Sequence, residues 1–172
     1  IGMGLARFPF ATGKDYFQWA ELCELGGLDS IWQTDRLVSR EPNLETLSTM
    51  AALAGATQRI RFGMNVASIA LRDPLLTAKQ CATIDRLSDG RLLPAFGIGS
   101  ALSLDYRSTG IPTKRRGKKA DEALTLVQRL WQEEEVSFAG EFFNYDRASI
   151  SPKPANPKLP LWIGGASESA MR

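Results

Sequence analysis

At 172 residues, with 44% hydrophobic and 23% charged residues and a formal net charge of +2, the chain has the composition of an ordinary globular domain, with no global bias toward nucleic acid or a membrane surface. No apolar run approaches the ~20 residues that span a bilayer, and the N-terminus lacks a signal-peptide layout, so the expected location is cytoplasmic. The absence of histidine excludes a Ser-His-Asp triad or a histidine metal site within these residues. Cys23 and Cys81 lie among apolar residues without the short spacing of a zinc motif, so they read as core and no metal is expected.

In chain order, Ile1 to Leu5 reads as a short apolar strand ended by Arg7-Phe8-Pro9-Phe10. Lys14 to Leu25 is a predicted helix, with Tyr16, Trp19, Ala20 and Cys23 on one stripe and Gly26-Gly27 past its end. Leu28 to Gln33 is the second predicted strand, running into Thr34-Asp35-Arg36. Leu44 to Ala54 follows as a helix closed by Gly55. The central stretch then reads as one βαβ unit: an apolar strand from Ile60 to Val66, a helix opening at Asp73-Pro74, a Ser88-Asp89-Gly90 turn and a second apolar strand from Leu92 to Gly99. Asp73 ahead of Pro74 is the pattern of a helix N-cap. Lys118 to Gln132 is helical, with Ala120, Leu124, Val127 and Trp131 on one stripe, and Val136 to Tyr145 alternates as a hairpin turning at Ala139-Gly140. Pro152, Pro154, Pro157 and Pro160 mark a stiff surface connection to a fifth strand, Leu161 to Ile163, and the chain stops at Arg172 one turn into a further helix.

Strand starts near 1, 28, 60 and 91 give a βα period of about thirty residues, with the fifth strand delayed by the hairpin. A dinucleotide-binding domain would need G-x-G-x-x-G, and neither Gly2-Met3-Gly4 nor Gly97-Ile98-Gly99 has the third glycine. A (β/α)8 barrel uses the same units but takes ~250 residues, so the expectation is a single domain holding about the first five βα units of such a barrel. Such a piece would lack the late loops that hold a nucleotide phosphate, so inactivity alone is expected of it. In parallel α/β folds ligands bind outside the carboxyl ends of the strands, which selects Asn65, Val66, Ala67, Ser68, Gly97, Gly99 and Ser100 as candidate binding residues. Asp35 and Arg36, just past the second strand, are the candidate catalytic pair. The basic run Lys114 to Lys119 reads as a solvated loop entering a helix, with room for one member to reach an anionic group.

Several pieces resemble the luciferase-like flavin- and deazaflavin-dependent oxidoreductases. They are Gly27 to Trp32 leading to Asp35, Thr57 to Gly63 with Asn65-Val66, Asp73-Pro74, and Leu87-Ser88-Asp89-Gly90-Arg91 before Gly97-Ile98-Gly99. Asp121 to Leu124 through Trp131, Pro152-Lys153-Pro154 and Leu161 to Gly165 complete the run, in the family's order over nearly the whole chain. The resemblance implies a luciferase-like TIM barrel carrying FMN, or alternatively coenzyme F420, at the strand ends. It implies a bulge and a cis peptide at Asn65-Val66 behind the ring. The family often has Asp-His where this chain has Asp35-Arg36, and its deazaflavin-dependent sugar-phosphate dehydrogenases carry an acid where Ser100 stands. The expected function is a flavin-dependent monooxygenase acting on a small organic substrate, with a homodimer as the assembly of the full-length protein. F420-dependent hydride transfer and a non-catalytic flavin-binding protein on the same scaffold are the alternatives.

Overall fold

The computed structural model describes residues 1–165. It opens with β1 (Gly2–Leu5), α1 (Gly13–Leu25) and β2 (Ser30–Gln33). Helix α1 starts in a reciprocal capping box: the Thr12 hydroxyl accepts the Asp15 N–H at 3.2 Å, and the Asp15 carboxylate accepts the Thr12 N–H at 2.9 Å. Helix α2 (Thr46–Ala56) is capped by the Glu45 carboxylate, which accepts from Leu47 and Ser48. Gly55, expected to close this helix, lies inside it. The stop falls at Thr57, whose hydroxyl donates to the Leu53 carbonyl at 2.6 Å.

The two central strands are each split. β3 (Arg61–Met64) is separated from β4 (Ala67–Ser68) by the Asn65–Val66 peptide, which is cis. A 3-10 turn (Ile69–Leu71) then leads to α3 (Pro74–Leu87), with Asp73 as its N-cap, accepting from Leu76 at 2.8 Å. β5 (Leu92–Leu93) is separated from β6 (Ala95–Gly97) by Pro94, which has no N–H to give a ladder. The continuous strands expected over 60–66 and 92–99 are therefore corrected to paired short segments. The chain changes sheet at both breaks, giving parallel orders β1-β2-β3-β5 and β4-β6-β9, where β9 is Trp162–Ile163.

Between β6 and β9 lie α4 (Leu104–Thr109), α5 (Arg116–Gln132) and an antiparallel hairpin of β7 (Val136–Ala139) and β8 (Asn144–Ala148). Helix α4 is absent from the sequence expectation, although Ser103 caps it and Gly110 follows it in the left-handed region. The hairpin turn is longer than Ala139-Gly140, because the Glu122 carboxylate of α5 accepts the N–H groups of Glu141, Phe142 and Phe143 and holds them out of the ladder. The proline-rich connection is partly core: Pro154 and Leu159 are buried, and the Asn156 N–H donates to the Asp85 carboxylate of α3 at 3.0 Å.

Parallel pairing aligns residues that face the same way. Ile31, Phe62 and Leu92 share one register level and are buried beneath Leu47, Met50 and Leu53 of α2 and Ala78, Cys81 and Ala82 of α3. Gly4, Trp32, Gly63 and Leu93 share the next level and so lie on the other face. Among the described residues the sheet stays open: β1 pairs only with β2, and β9 only with β6. The helical turn expected ahead of Arg172 lies outside the described residues. Both cysteines are buried and unpaired, and burial pushes the Cys81 thiol up to about 12. Among the described residues no helix is long and apolar enough to cross a membrane.

Candidate active site

Sequence places Asp35 and Arg36 at the end of β2, and the fold gives them different surroundings. Asp35 is 4% exposed, and both its oxygens are engaged. Oδ1 accepts from Arg72 Nη2 at 2.6 Å, and Oδ2 accepts the main-chain N–H of Ser68 at 2.9 Å. Arg72 also reaches the α2 cap, its Nη1 lying 3.3 Å from Glu45 Oε1. Asp35 thus ties the end of β2 to β4, α2 and the segment leading into α3. Arg36 is exposed and, among the described residues, donates only to the Asp35 carbonyl, at 3.0 Å.

A cavity of about 400 Å³ opens at these strand ends, lined by Arg36, Arg40, Ser68 and Ser100 among others. It brings Arg36 together with Ser68, Gly99 and Ser100. Its far wall is α4, whose buried Asp105 accepts the N–H groups of Leu37 (3.1 Å) and Val38 (2.8 Å) and so fixes the loop carrying Arg36. The Tyr106 hydroxyl donates to the Ile98 carbonyl at 2.6 Å and holds the other loop. Burial raises the Tyr106 pKa, so this donor stays protonated at neutral pH.

Beside the cavity sits the cis bend. Asn65 is exposed and its N–H donates to the Gln33 carbonyl at 2.8 Å, while Val66 is half-buried. An added Cβ at Gly97 would fall 2.8 Å from a Val66 methyl, and one at Gly164 only 2.7 Å from the other. The Val66 side chain therefore lies on two bare backbones, and Gly97 pairs with Ser68 in the ladder. Gly99 combines a φ of +67° with a Cβ position 2.9 Å from Ser68 Oγ, so both its conformation and its space demand glycine. Ala67 points the other way, its side chain fully buried in the core.

The arrangement fits a planar ring bearing polar edges: an apolar Val66 surface, neighbouring backbones without side chains, and a donor-lined cavity alongside. Among the described residues no cluster of His, Cys, Asp and Glu could hold a metal. Of the basic run, Arg115 pairs with Glu141 and Lys119 stands 5.8 Å over the Phe143 ring, both turned to the hairpin. Only Arg116 is directed at the site, donating to the Gly99 carbonyl at 3.4 Å. Sequence reasoning missed Arg40, Asp105, Gly164 and the whole of α4. The Ser103 cap and Gly110 would have revealed the helix, whereas Gly164 shows itself only through its contact with Val66.

Known proteins share this fold. The chain is 32% identical to an F420-dependent glucose-6-phosphate dehydrogenase of Kineococcus radiotolerans, over 95% of this chain and 50% of that protein. An uncharacterized protein of Mycobacterium tuberculosis is 34% identical over 77% of this chain and 45% of its own length. Among solved structures, an F420-dependent secondary alcohol dehydrogenase in complex with an F420-acetone adduct superposes with a TM-score of 0.81 at 25% identity, over 95% of this chain and 52% of that one. A monooxygenase from Streptomyces bottropensis superposes with a TM-score of 0.83 at 22% identity, over 95% and 53% respectively, and shares the fold. The chain thus spans about half the length of the curated relatives it matches. The family model described as luciferase-like monooxygenase matches residues 9–172, and the chain belongs to that family.

Proposed function

We propose that this chain supplies the ring-binding part of a flavin-type site, in an oxidoreductase that moves hydride between the bound coenzyme and a small organic substrate. The observation that carries the reading is Val66, seated on Gly97 and Gly164 at the strand ends beside the cavity of Arg36 and Ser100. The coenzyme, when bound, supplies the redox chemistry, and the protein supplies position and electrostatics. Val66 offers an apolar support to one face of the ring. Gly97 and Gly99 keep side chains out of the space beside it. Ser68 and Ser100 direct donors at polar groups of the ring, and Arg36 lies on the substrate side of the same cavity. Asp35 acts at one remove, holding the Ser68 backbone through its hydrogen bond.

Coenzyme F420 is favoured over FMN by the stated activity of the Kineococcus relative, the match being 32% over 95% of this chain. The sugar phosphate of that relative is not carried over, because Ser100 and Arg36 offer no carboxylate or imidazole for acid/base work. FMN-dependent oxygen insertion is the second reading, supported by the family's description.

Reconstitution of the full-length protein with each coenzyme separates the two. The expected result is tight binding of F420 and oxidation of its reduced form by a panel of small carbonyl or unsaturated compounds, with no oxygen uptake. Oxygen consumption with reduced FMN alone moves the assignment to the second reading. Failure to bind either coenzyme overturns both.

A further inference from the structure

Donors crowd the strand-end cavity, and acceptors are scarce there. Arg36 spends one guanidinium N–H on the Asp35 carbonyl, and among the described residues neither Arg36 nor Arg40 belongs to an ion pair. A serine hydroxyl that accepts from a main-chain N–H keeps its own proton to donate. Three lining serines are in that state: Ser39 accepts from Glu41 at 3.1 Å, Ser100 from Leu102 at 3.2 Å and Ser103 from Tyr106 at 3.5 Å. Among the described residues the only carboxylate in the lining is that of Asp105, which is 4% exposed, with Oδ1 already accepting from Leu37 and Val38. The wall therefore presents positive charge and hydroxyl protons with little to receive them.

We propose that this cavity binds the carboxylate or phosphate of a small substrate, with Arg36 and Arg40 as its charged partners and Ser39, Ser100 and Ser103 as hydroxyl donors. Charge-assisted bonds of this type are about twice as strong as neutral ones, which makes an anion the ligand such a donor set selects. A volume of about 400 Å³ suits a small molecule rather than a whole dinucleotide-sized coenzyme. The lining residues Ser68 and Gly99 stand two positions along the chain from Val66 and Gly97 respectively, so the cavity adjoins the support assigned to the ring. Attribution of the anion to the substrate rests on the flavin-type reading; the anion site itself does not.

A coenzyme phosphate or acidic tail has the same chemistry, so the test measures both. Inorganic phosphate is titrated calorimetrically into the full-length protein, and FMN and F420 are titrated in parallel by fluorescence. Arg36→Gln and Arg40→Gln should each weaken phosphate binding about tenfold. Arg36→Lys should keep part of the affinity, because charge remains while the fork geometry is lost. Arg129→Gln, on a half-buried side chain paired with Glu133 and outside the cavity, should change nothing. Coenzyme affinity should stay at the wild-type value in all four. Equal losses of coenzyme and phosphate affinity would hand the anion site to the coenzyme and overturn the substrate assignment. Phosphate binding indifferent to both glutamine variants would overturn the site. Phosphate bound through the two arginines by a protein that takes neither coenzyme would uphold the anion site and remove the flavin reading.

Discussion

Ser68 and Asp35 are joined by a 2.9 Å hydrogen bond, from the Ser68 main-chain N–H to Asp35 Oδ2, that spans from β4 to the loop after β2. The same carboxylate accepts from Arg72 at 2.6 Å, and the Asp35 and Arg72 side chains are only 3% and 13% exposed. A buried ion pair of this kind is costly to break from one side, since the survivor is left charged without a partner.

Arg72→Leu should therefore destabilise the protein by about 3–5 kcal/mol, and Asp35→Leu by a similar amount. The double variant should cost clearly less than the sum, because each change already removes the pair. Urea unfolding of the three variants checks this. Strictly additive losses would show that the two side chains do not act together.

Arg91 is the second prediction. It belongs to the Leu87-to-Arg91 segment, one of the pieces that resemble the family, and its role is structural. Nε donates to the Ser88 carbonyl (2.8 Å), Nη1 to Thr57 Oγ1 (2.6 Å) and the Ile60 carbonyl (3.0 Å), and Nη2 to the carbonyls of Ala54 (3.0 Å) and Thr57 (2.8 Å). All five guanidinium donors are used, which knots the end of α2 to the approach to β3 and the turn after α3. Lysine has three donors and no fork, so Arg91→Lys should cost about 2–4 kcal/mol despite keeping the charge. Thermal unfolding measures it, and a change within half a kcal/mol would mean the knot carries no stability.

These two arginines show what the sequence makes legible. Helical stripes around Tyr16 and Val127, the Asp73-Pro74 start and the thirty-residue repeat are local patterns, and periodicity or capping chemistry reveals them. The relation of Arg36 to Ser100 follows from parallel strands ending on one rim. Long-range partners are different. Nothing near Asp35 in sequence announces Arg72, and Gly164 is specified only by the Val66 methyl that fills the space of its missing side chain. The family resemblance announces the cis bend at Asn65-Val66, whereas apolar patterning alone hides both it and the break at Pro94, because strand patterning reports burial and not ladder continuity.

Glu24 gives a pH dependence with a definite sign. Burial pushes its pKa up, but its carboxylate accepts the N–H groups of Arg59, Ile60 (2.9 Å) and Gln58 (2.9 Å), and the balance falls below the usual range. A carboxylate whose folded pKa is depressed contributes stability above its unfolded pKa of about 4.3 and loses it as pH falls through the folded value. Glu24→Gln should lower the melting temperature near neutrality and approach wild type in acid. Melting curves from about pH 7 down to pH 3 test it; parallel curves for the two proteins would refute it.

The last prediction concerns the fit of Val66 against Gly97. A Cβ on residue 97 would stand 2.8 Å from Val66 Cγ2 and 3.3 Å from the Gly164 carbonyl oxygen. Val66 is β-branched and cannot swing a methyl aside without leaving its preferred rotamer, so the strain falls on the backbone around the bend. Overpacking of this kind costs about 1–3 kcal/mol, and Gly97→Ala should lose about that much stability together with at least about tenfold in coenzyme affinity. Val66→Ala removes both methyls, after which the nearest atom of residue 66 is Cβ, 3.9 Å from the new group. The double variant Val66→Ala/Gly97→Ala should therefore recover most of the stability lost in Gly97→Ala. It should recover less of the affinity, because the proposed apolar support for the ring is reduced to a single methyl. Chemical denaturation and fluorescence titration of the three variants read the two effects separately. Unchanged coenzyme affinity in Gly97→Ala would place the ring elsewhere on the sheet, and a double variant no more stable than Gly97→Ala would place the clash on the Gly164 backbone instead of on Val66.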